Sequence, residues 1–180
     1  DRDNTKDCNK RAPHDVSPRS FPVRTCQATT GALVFLVGEV AVEAALGEVV
    51  HVALGIGRPL LGIGAVGGTL GAIERVLAGH WTNAFVACRP PGHHAEQKAA
   101  LGFCIFNQVA IGAATLRAVH GIERVAIVDF DVHHGNGTQH QFDADPSVFY
   151  ASIHQWPAYP GTGLKSERGI GAGEGATLNC

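Results

Sequence analysis

Methionine is absent from this 180-residue chain, even at position 1, which fits a chain that begins inside a longer reading frame or has been processed. Charged residues are also scarce, at 17% of the chain against the usual quarter or so. This scarcity indicates either extensive buried surface or a missing part that would cover some of it. The net charge of −2 provides no large basic field, which argues against direct nucleic-acid binding.

Secretion signals and long hydrophobic runs are missing as well. Residues 1–10 are charged and lack the apolar core of a signal peptide. The longest uncharged stretches, 25–38 and 59–73, are too short and too glycine-rich for a membrane span. The five cysteines are odd in number and show no C-x-x-C spacing. We therefore expect a cytoplasmic protein with reduced thiols, no zinc finger and no membrane partner.

Apolar periodicity predicts the secondary structure from about Thr69 onward, whereas residues 1–66 show no clear pattern. The predicted elements are a helix carrying Leu70, Ile73 and Leu77 and ending at Gly79, a strand over Ala84–Cys88, a helix over Asn107–His120, a strand over Arg124–Phe130 that is buried on both faces, and a strand over Val148–Ile153. This order predicts an α/β fold with an open, mainly parallel sheet and flanking helices. We assign residues 1–66 to an N-terminal region and 67–180 to the domain proper.

Polar side chains cluster where the predicted strands end. Asp129, Asp131 and His133 alternate along extended chain and so face one site, and carboxylate and imidazole ligands suit zinc. His93-His94 follow another predicted strand end, as expected of histidines that transfer protons beside a metal. Since ligands bind beyond the carboxyl ends of parallel strands, we expect one pocket there, with the strand end at Ser152 on its rim.

Each of these motifs also has a simpler interpretation. Histidine doublets occur on surfaces, and Asp-x-Asp occurs in turns, so the joint occurrence carries more weight than either motif. Gly62-Ile-Gly-Ala-Val-Gly67 matches the G-x-G-x-x-G dinucleotide pattern. No acidic residue follows about 20 positions later, and Arg58-Pro59 interrupts the preceding strand. We expect glycine-rich packing or a loop there.

Three ordered motifs resemble the histone deacetylase family, which includes bacterial deacetylase-like amidohydrolases and acetylpolyamine amidohydrolases. They are Arg89-Pro-Pro-Gly-His-His-Ala95, Gly102-Phe-Cys-Ile-Phe-Asn107 and Val128-Asp-Phe-Asp-Val-His-His-Gly-Asn-Gly-Thr138, and Tyr159-Pro-Gly-Thr-Gly163 and Gly173-Glu-Gly-Ala-Thr-Leu-Asn179 extend the match. The resemblance covers the chain from about Gly67 to its end. It implies an arginase/deacetylase-like α/β domain, here incomplete, that hydrolyses acetyl-amide bonds with zinc.

The resemblance also implies roles for single residues. Asp131 and His133 match the first two zinc ligands, and His94 matches the general base that acts on the metal-activated water. His93 matches the supporting histidine that Asp129 orients, while Asn136 stands behind His94. Gly102, Phe103 and Tyr159 match the walls of a substrate channel. Such a channel suits the aliphatic stem of acetyl-lysine, in a peptide or protein, or of an acetylpolyamine.

Structural potassium is the second cofactor that the resemblance implies. Its ligands would be Asp129, Asp131, Ser152 and the backbone at His133 and Ile153, with a second site near Phe142, Asp145 and Val148. Asn107-Gln108 departs from the two asparagines that the family usually has. The oligomeric state is open.

The resemblance further implies a third zinc ligand, an aspartate well downstream of Tyr159-Pro-Gly-Thr-Gly163, and an oxyanion-stabilising tyrosine or histidine beyond it. The chain contains neither, which predicts a C-terminally truncated fragment of a zinc deacylase with a weak metal site. Two alternatives are a non-catalytic deacetylase-like domain that acts by binding, and an arginase-like metallohydrolase. An arginase-like site prefers Asp-x-His-x-Asp, and Gly135 at the last position argues against it.

Overall fold

Four parallel strands form one sheet in the computed structural model, which describes the backbone of residues 33–37 and 58–61 and all of residues 62–180. In sheet order the strands are β1 (Leu33–Val37), β2 (Val125–Asp129), β3 (Val148–Ser152) and β4 (Thr177–Asn179). Every neighbouring pair is parallel. This confirms the predicted parallel sheet, and the register aligns the strand ends at Asp129 and Ser152.

Three helices pack on one face of this sheet: α1 (Arg58–Leu77), α2 (Gln108–Ala118) and α3 (Asn136–Phe142). A short 3-10 turn spans Gly171–Gly173. The helix α2 starts as predicted, because the Asn107 side chain accepts a hydrogen bond from the Ala110 N–H at 3.0 Å. Gly121, in the left-handed region at φ 66°, follows its end.

The hydrophobic core lies between the helices and alternate positions of β2 and β3. Val125, Ile127, Val148 and Tyr150 are at most 2% exposed and meet Leu116 of α2. On the opposite face Ala126 and Val128 are only half-buried, so β2 is not buried on both faces as predicted. Strand β2 pairs with β1 on one side and with β3 on the other. β-Branched residues are favoured in such a strand even when one face is only half-buried, so the run did not require burial of both faces.

Replacing Leu116 by alanine is expected to lower the free energy of unfolding by about 2–5 kcal/mol, because it opens a cavity in this core. Leu116 is 0% exposed, whereas Leu178 of β4 is 49% exposed and provides a matched control. Urea unfolding of both Leu→Ala variants measures the difference. Equal losses of stability at the two positions would contradict the assigned core.

The helix α1 begins at Arg58 rather than near Thr69. Each glycine in a helix interior costs about 1 kcal/mol relative to alanine, and α1 contains five glycines. For this reason the sequence pattern did not predict the first half of the helix. Tertiary packing compensates, since Ala65, Ala72 and Val76 are buried along one face. The segment Gly62–Gly67 lies inside this helix and not in a strand-to-helix turn, so the dinucleotide interpretation is wrong. Close packing is seen at Gly62, where a Cβ would lie 2.9 Å from the Phe106 ring, but not at Gly67, where a Cβ would meet no described residue within 4 Å. The helix runs unbroken through positions 66 and 67. The division of the chain into residues 1–66 and 67–180 stays a prediction.

The predicted strand over Ala84–Cys88 is wrong. The structure describes this segment as irregular chain, and none of the four strands pairs with it. A strand needs a partner as well as apolar residues, and Phe85 is 44% exposed rather than buried. Conversely, β1 lies in a stretch whose weak pattern predicted no element, and its pairing with β2 defines it.

The structure tests the predictions about cysteines and membrane spans only within the residues that it describes. Cys88 and Cys104 carry free thiols, while Cys8 and Cys26 lie outside the described residues. Across those residues, no helix has the length and apolar character needed to cross a membrane.

Candidate active site

The ends of β2 and β3 carry the two side chains around which the site is built. Asp129 ends β2 directly opposite Ser152, which ends β3. Val125, Ile127 and Asp129 alternate along β2, so the Asp129 carboxylate points to the same face as the core and is 0% exposed. A buried carboxylate needs hydrogen-bond donors, and the Tyr150 hydroxyl supplies one at 3.1 Å.

His93 supplies the second donor to this carboxylate. Its Nδ1 lies 2.9 Å from Asp129 Oδ2, and the imidazole is only 5% exposed. Because the carboxylate accepts, Nδ1 carries the hydrogen and Nε2 points onward, 4.0 Å from Asp131 Oδ1. Gly135 allows this approach, since a Cβ there would lie 2.2 Å from Asp129 Oδ2. The structure thus brings together His93 and the carboxylate predicted to orient it.

His94 has a different partner, the amide of Asn136 at the start of α3. Its Nδ1 lies 2.8 Å from Asn136 Oδ1, and its ring centroid is 4.0 Å from that of His93. Burial lowers the pKa of His94, and the neighbouring His93 lowers it further, against smaller opposing effects of Asn136 and Asp131. A neutral imidazole at neutral pH is able to accept a proton.

Asp131 and His133, the two predicted zinc ligands, lie side by side. His133 Nδ1 is 3.4 Å from Asp131 Oδ1, and the His133 backbone N–H donates to the same oxygen at 2.8 Å. Two donors bound to one tetrahedral zinc at about 2.0–2.1 Å would be roughly 3.4 Å apart. The spacing and the donor types therefore fit zinc. Among the described residues, however, no group of three or more His, Cys, Asp or Glu side chains is arranged to hold a metal ion.

Two of the three predicted channel residues lie against His94. The Tyr159 ring centroid lies 5.0 Å from that of His94 and 5.9 Å from that of His133. Gly102 also packs against His94, where a Cβ would come within 2.3 Å of His94 Cδ2. The next residue, Phe103, is 89% exposed and has a left-handed backbone at φ 64°, which is unusual for a bulky residue. Tyr159 and Gly102 therefore border the histidine, and Phe103 projects into solvent.

The predicted potassium ligands also meet at the strand ends. The Ile153 N–H donates to the Asp129 carbonyl oxygen at 2.9 Å, and Asp131 N–H donates to Asp129 Oδ1 at 3.2 Å. Ser152 Oγ lies 2.9 Å from His154 Nδ1. At the predicted second site, Asp145 pairs with Arg117 at 2.7 Å. Potassium binding at either place stays a prediction.

Gln108, which stands where the family usually has a second asparagine, packs close to the histidine pair. Its side chain lies against Gly92, where a Cβ would come within 1.9 Å of Gln108 Oε1. Its Nε2 lies 3.7 Å from Cys88 Sγ. The longer amide thus fills the space behind the turn that carries His93.

His134 is a buried histidine for which the sequence provided no role. Its Nε2 lies 2.8 Å from Gln139 Oε1 and its Nδ1 lies 2.8 Å from Thr162 Oγ1. Gln139 Oε1 accepts, so His134 donates from Nε2 and accepts the Thr162 hydroxyl at Nδ1. Gln139 Nε2 in turn donates to Glu167 Oε2 at 2.8 Å. This network connects the Tyr159–Gly163 segment to α3. In the sequence, only the polar residues of the two segments indicated that such a network could form.

Acid is expected to destabilise the metal-free protein through His134. Burial lowers the pKa of His134 from 6.5 to about 4, so the unfolded chain binds this proton first as the pH falls. The neutral, buried imidazole of His134 contributes fully to the free energy of unfolding above pH 6.5. About 2 kcal/mol of this stabilisation is lost between pH 7 and pH 5. Urea unfolding at both pH values, with a chelator present, measures the loss. His134→Gln should show a smaller difference between the two pH values; an equal difference would exclude His134 as its source.

Comparison with known proteins places residues 59–180 in the histone deacetylase domain. Histone deacetylase 9 of Homo sapiens is 49% identical over 118 residues, which cover 64% of this chain and 12% of the relative. Histone deacetylase 14, chloroplastic, of Arabidopsis thaliana is 47% identical over 120 residues, which cover 64% of this chain and 28% of the relative. The chain thus spans less than a third of the length of these curated relatives.

A solved structure shows the same arrangement of elements. The crystal structure of the HDA15 HD domain superposes with a TM-score of 0.64 at 42% sequence identity, covering 66% of this chain and 35% of that chain. Together with the parallel sheet and its flanking helices, this match confirms the predicted arginase/deacetylase-like α/β class. The domain match begins at residue 59, ahead of Gly67, where the motif resemblance began.

Proposed function

The chain belongs to the histone deacetylase family, and on that basis we propose that it forms part of a zinc-dependent deacetylase that hydrolyses acetyl-amide bonds to acetate and free amine. One observation carries this proposal: two buried histidines with different partners lie beside an Asp131–His133 pair spaced for zinc. Family membership supports deacetylation in general. The metal, the base and the substrate are the finer parts of the proposal.

Asp131 and His133 would hold the zinc, with one carboxylate oxygen and one imidazole nitrogen. When bound, the metal supplies Lewis-acid polarisation of the substrate carbonyl and of the attacking water. Catalytic zinc usually has three protein ligands, and the described residues provide two. We propose that a donor outside the described residues completes the set.

The two histidines divide the proton chemistry between them. His94, with a lowered pKa, takes a proton from the attacking water and returns it to the leaving amine. His93, oriented by Asp129, stands 4.0 Å from the Asp131 carboxylate and supports the developing charge. Tyr159 and Gly102 limit the space around His94, which favours entry of a slender chain.

The proposed substrate is an acetylated lysine in a peptide or protein, and an acetylpolyamine is the alternative acyl-amine. Both present an aliphatic stem with an uncharged amide at its end, which suits an aromatic-walled channel. We further propose a cytoplasmic location, supported by the free thiols at Cys88 and Cys104.

A non-catalytic role is the second candidate, and the observation that favours it is the count of zinc donors. The described residues supply two donors where a catalytic zinc usually has three, so a protein without a further donor would bind zinc weakly and act as a deacetylase-like binding domain.

Deacetylation of a fluorogenic acetyl-lysine peptide by the purified chain distinguishes the two candidates. The assay is run with zinc, with a chelator, and with zinc restored after chelation. Activity that chelation abolishes and zinc restores supports the deacetylase. Activity that is indifferent to chelation contradicts zinc dependence, and no activity at saturating zinc favours the binding domain.

A further inference from the structure

The Asn136 amide lies between His94 and the carboxylate of Glu96. Asn136 Oδ1 is 2.8 Å from His94 Nδ1, on one side. On the other side, Asn136 Nδ2 is 2.5 Å from Glu96 Oε1 and 3.5 Å from the His94 carbonyl oxygen. The His94 ring therefore contacts the neutral amide of Asn136, and the Glu96 carboxylate lies on the far side of that amide.

Glu96 determines which way this amide points. The two ends of an asparagine amide have almost the same shape, so their hydrogen-bond partners select the orientation. A carboxylate and a carbonyl only accept, and both lie at the same end of the Asn136 side chain. The amide NH₂ must therefore face Glu96, because the reversed amide would place Oδ1 against a negative oxygen.

The orientation of the amide determines the tautomer of His94. With Oδ1 turned toward the ring, Asn136 accepts, and His94 must carry its hydrogen on Nδ1. The lone pair then lies on Nε2, the nitrogen that does not face Asn136. With the amide reversed, its NH₂ would face Nδ1, the hydrogen would move to Nε2, and the base would have no lone pair to offer there.

Glu96 is itself held in place. Its Oε1 also accepts from His140 Nδ1 at 2.8 Å, and its backbone N–H donates to the Ala99 carbonyl at 2.9 Å. Its side chain is 23% exposed, so solvent competes only in part with these bonds. Both partners of this oxygen, Asn136 and His140, lie on α3, so the helix holds the Glu96 carboxylate beside the Asn136 amide.

We propose that Glu96 is a positioning residue, which sets the proton-accepting tautomer of His94 through the Asn136 amide. The tautomer follows from the hydrogen bonds alone, while its catalytic consequence rests on the proposed deacetylase function. Glu96 touches neither the His94 ring nor the Asp131–His133 pair in this chain of contacts, and acts only through Asn136.

Glu96→Lys is the sharpest variant, because lysine only donates. The new ammonium group draws Asn136 Oδ1 toward position 96, because the acceptor that remains there, the His94 carbonyl oxygen, is 3.5 Å from the amide nitrogen and binds it only weakly. The NH₂ then faces His94 Nδ1. The ¹⁵N resonances of His94 in the zinc-free, histidine-labelled chain report the tautomer directly. We expect the hydrogen on Nδ1 in the wild type and on Nε2 in Glu96→Lys, while Glu123→Lys, at an exposed glutamate, keeps the wild-type pattern.

A double variant separates positioning from folding. In Glu96→Lys with Asn136→Asp, the new carboxylate accepts from His94 Nδ1–H and from the introduced ammonium group at once, so the Nδ1–H tautomer is expected to return. A merely structural role for Glu96 would not reverse in this way. An unchanged His94 tautomer in a folded Glu96→Lys protein, or a failure of the double variant to restore it, would overturn the proposal.

Kinetics supply the second readout. Glu96→Lys is expected to lower kcat by about 10- to 100-fold with KM nearly unchanged, and the double variant to recover most of the loss. A tautomer that reverses in a chain without deacetylase activity would contradict the proposed function and support the role of Glu96. A wild-type kcat in a protein whose tautomer has reversed would overturn the catalytic consequence.

Discussion

Replacing His94 by alanine is expected to lower kcat for acetyl-amide hydrolysis by about 10²- to 10⁴-fold, the range that a positioned general base contributes. The expectation rests on burial and on His93, which lower the pKa of His94, and on Asn136, which orients its ring. KM should change little, because the imidazole acts on the attacking water. Steady-state kinetics on an acetyl-lysine peptide, at saturating zinc, measure both constants.

His80→Ala is the matched control, since His80 is exposed and lies in the turn after α1. This variant should retain wild-type kcat. Thermal unfolding of both variants shows whether the loss comes from the fold, because His94 is 4% exposed and its removal leaves Asn136 Oδ1 without a donor. Wild-type kcat in a folded His94→Ala protein would exclude the imidazole as the base.

Replacing His133 by alanine is expected to weaken zinc binding by more than about 100-fold. Loss of an outer partner of a metal site alone costs about 10- to 100-fold, and the loss of a direct donor should exceed it. His133 suits this test because its side chain is 46% exposed, so its removal creates little cavity. Competition with a chromophoric chelator measures the affinity without any need for activity.

Asp131→Asn provides an independent variant of the same site. The amide keeps the shape that accepts from the His133 N–H, at 2.8 Å in the wild type, but removes the negative charge. It should weaken zinc binding as well, whereas His80→Ala should not. If His133→Ala and Asp131→Asn both bound zinc as tightly as the wild type, the metal would have to bind elsewhere.

The two histidines illustrate how tertiary partners separate two identical side chains. They are adjacent in sequence and their rings are 4.0 Å apart. One is bonded to a fully buried carboxylate and the other to a neutral amide. Environments that differ in this way assign different proton-transfer roles to similar groups. The residues that create the difference, Asp129 and Asn136, lie more than 30 positions downstream.

The parts of the chain that failed prediction share a physical cause. In α1 the local glycine preference opposes the helix, and packing of one face prevails. At Ala84–Cys88 the apolar residues are present, but no described strand pairs with them. The bonds of His134 to Thr162 and of Asn136 to Glu96 join distant segments, and no local pattern encodes such a pair.

By itself the sequence determined the family, the parallel α/β class and the identity of the polar residues at the strand ends. These depend on local signals: β-branched runs, apolar residues at helical spacing and long motifs whose residue types limit the chemistry. The family resemblance already set Asp129 behind His93 and Asn136 behind His94, and the structure brings both pairs within hydrogen-bond distance. Only the tertiary structure decided the next partner: it placed Glu96 behind Asn136 and so selected the nitrogen of His94 that is free to accept a proton. Hydrogen-bond direction depends on which group lies on the far side of an amide, and the folded chain alone establishes that.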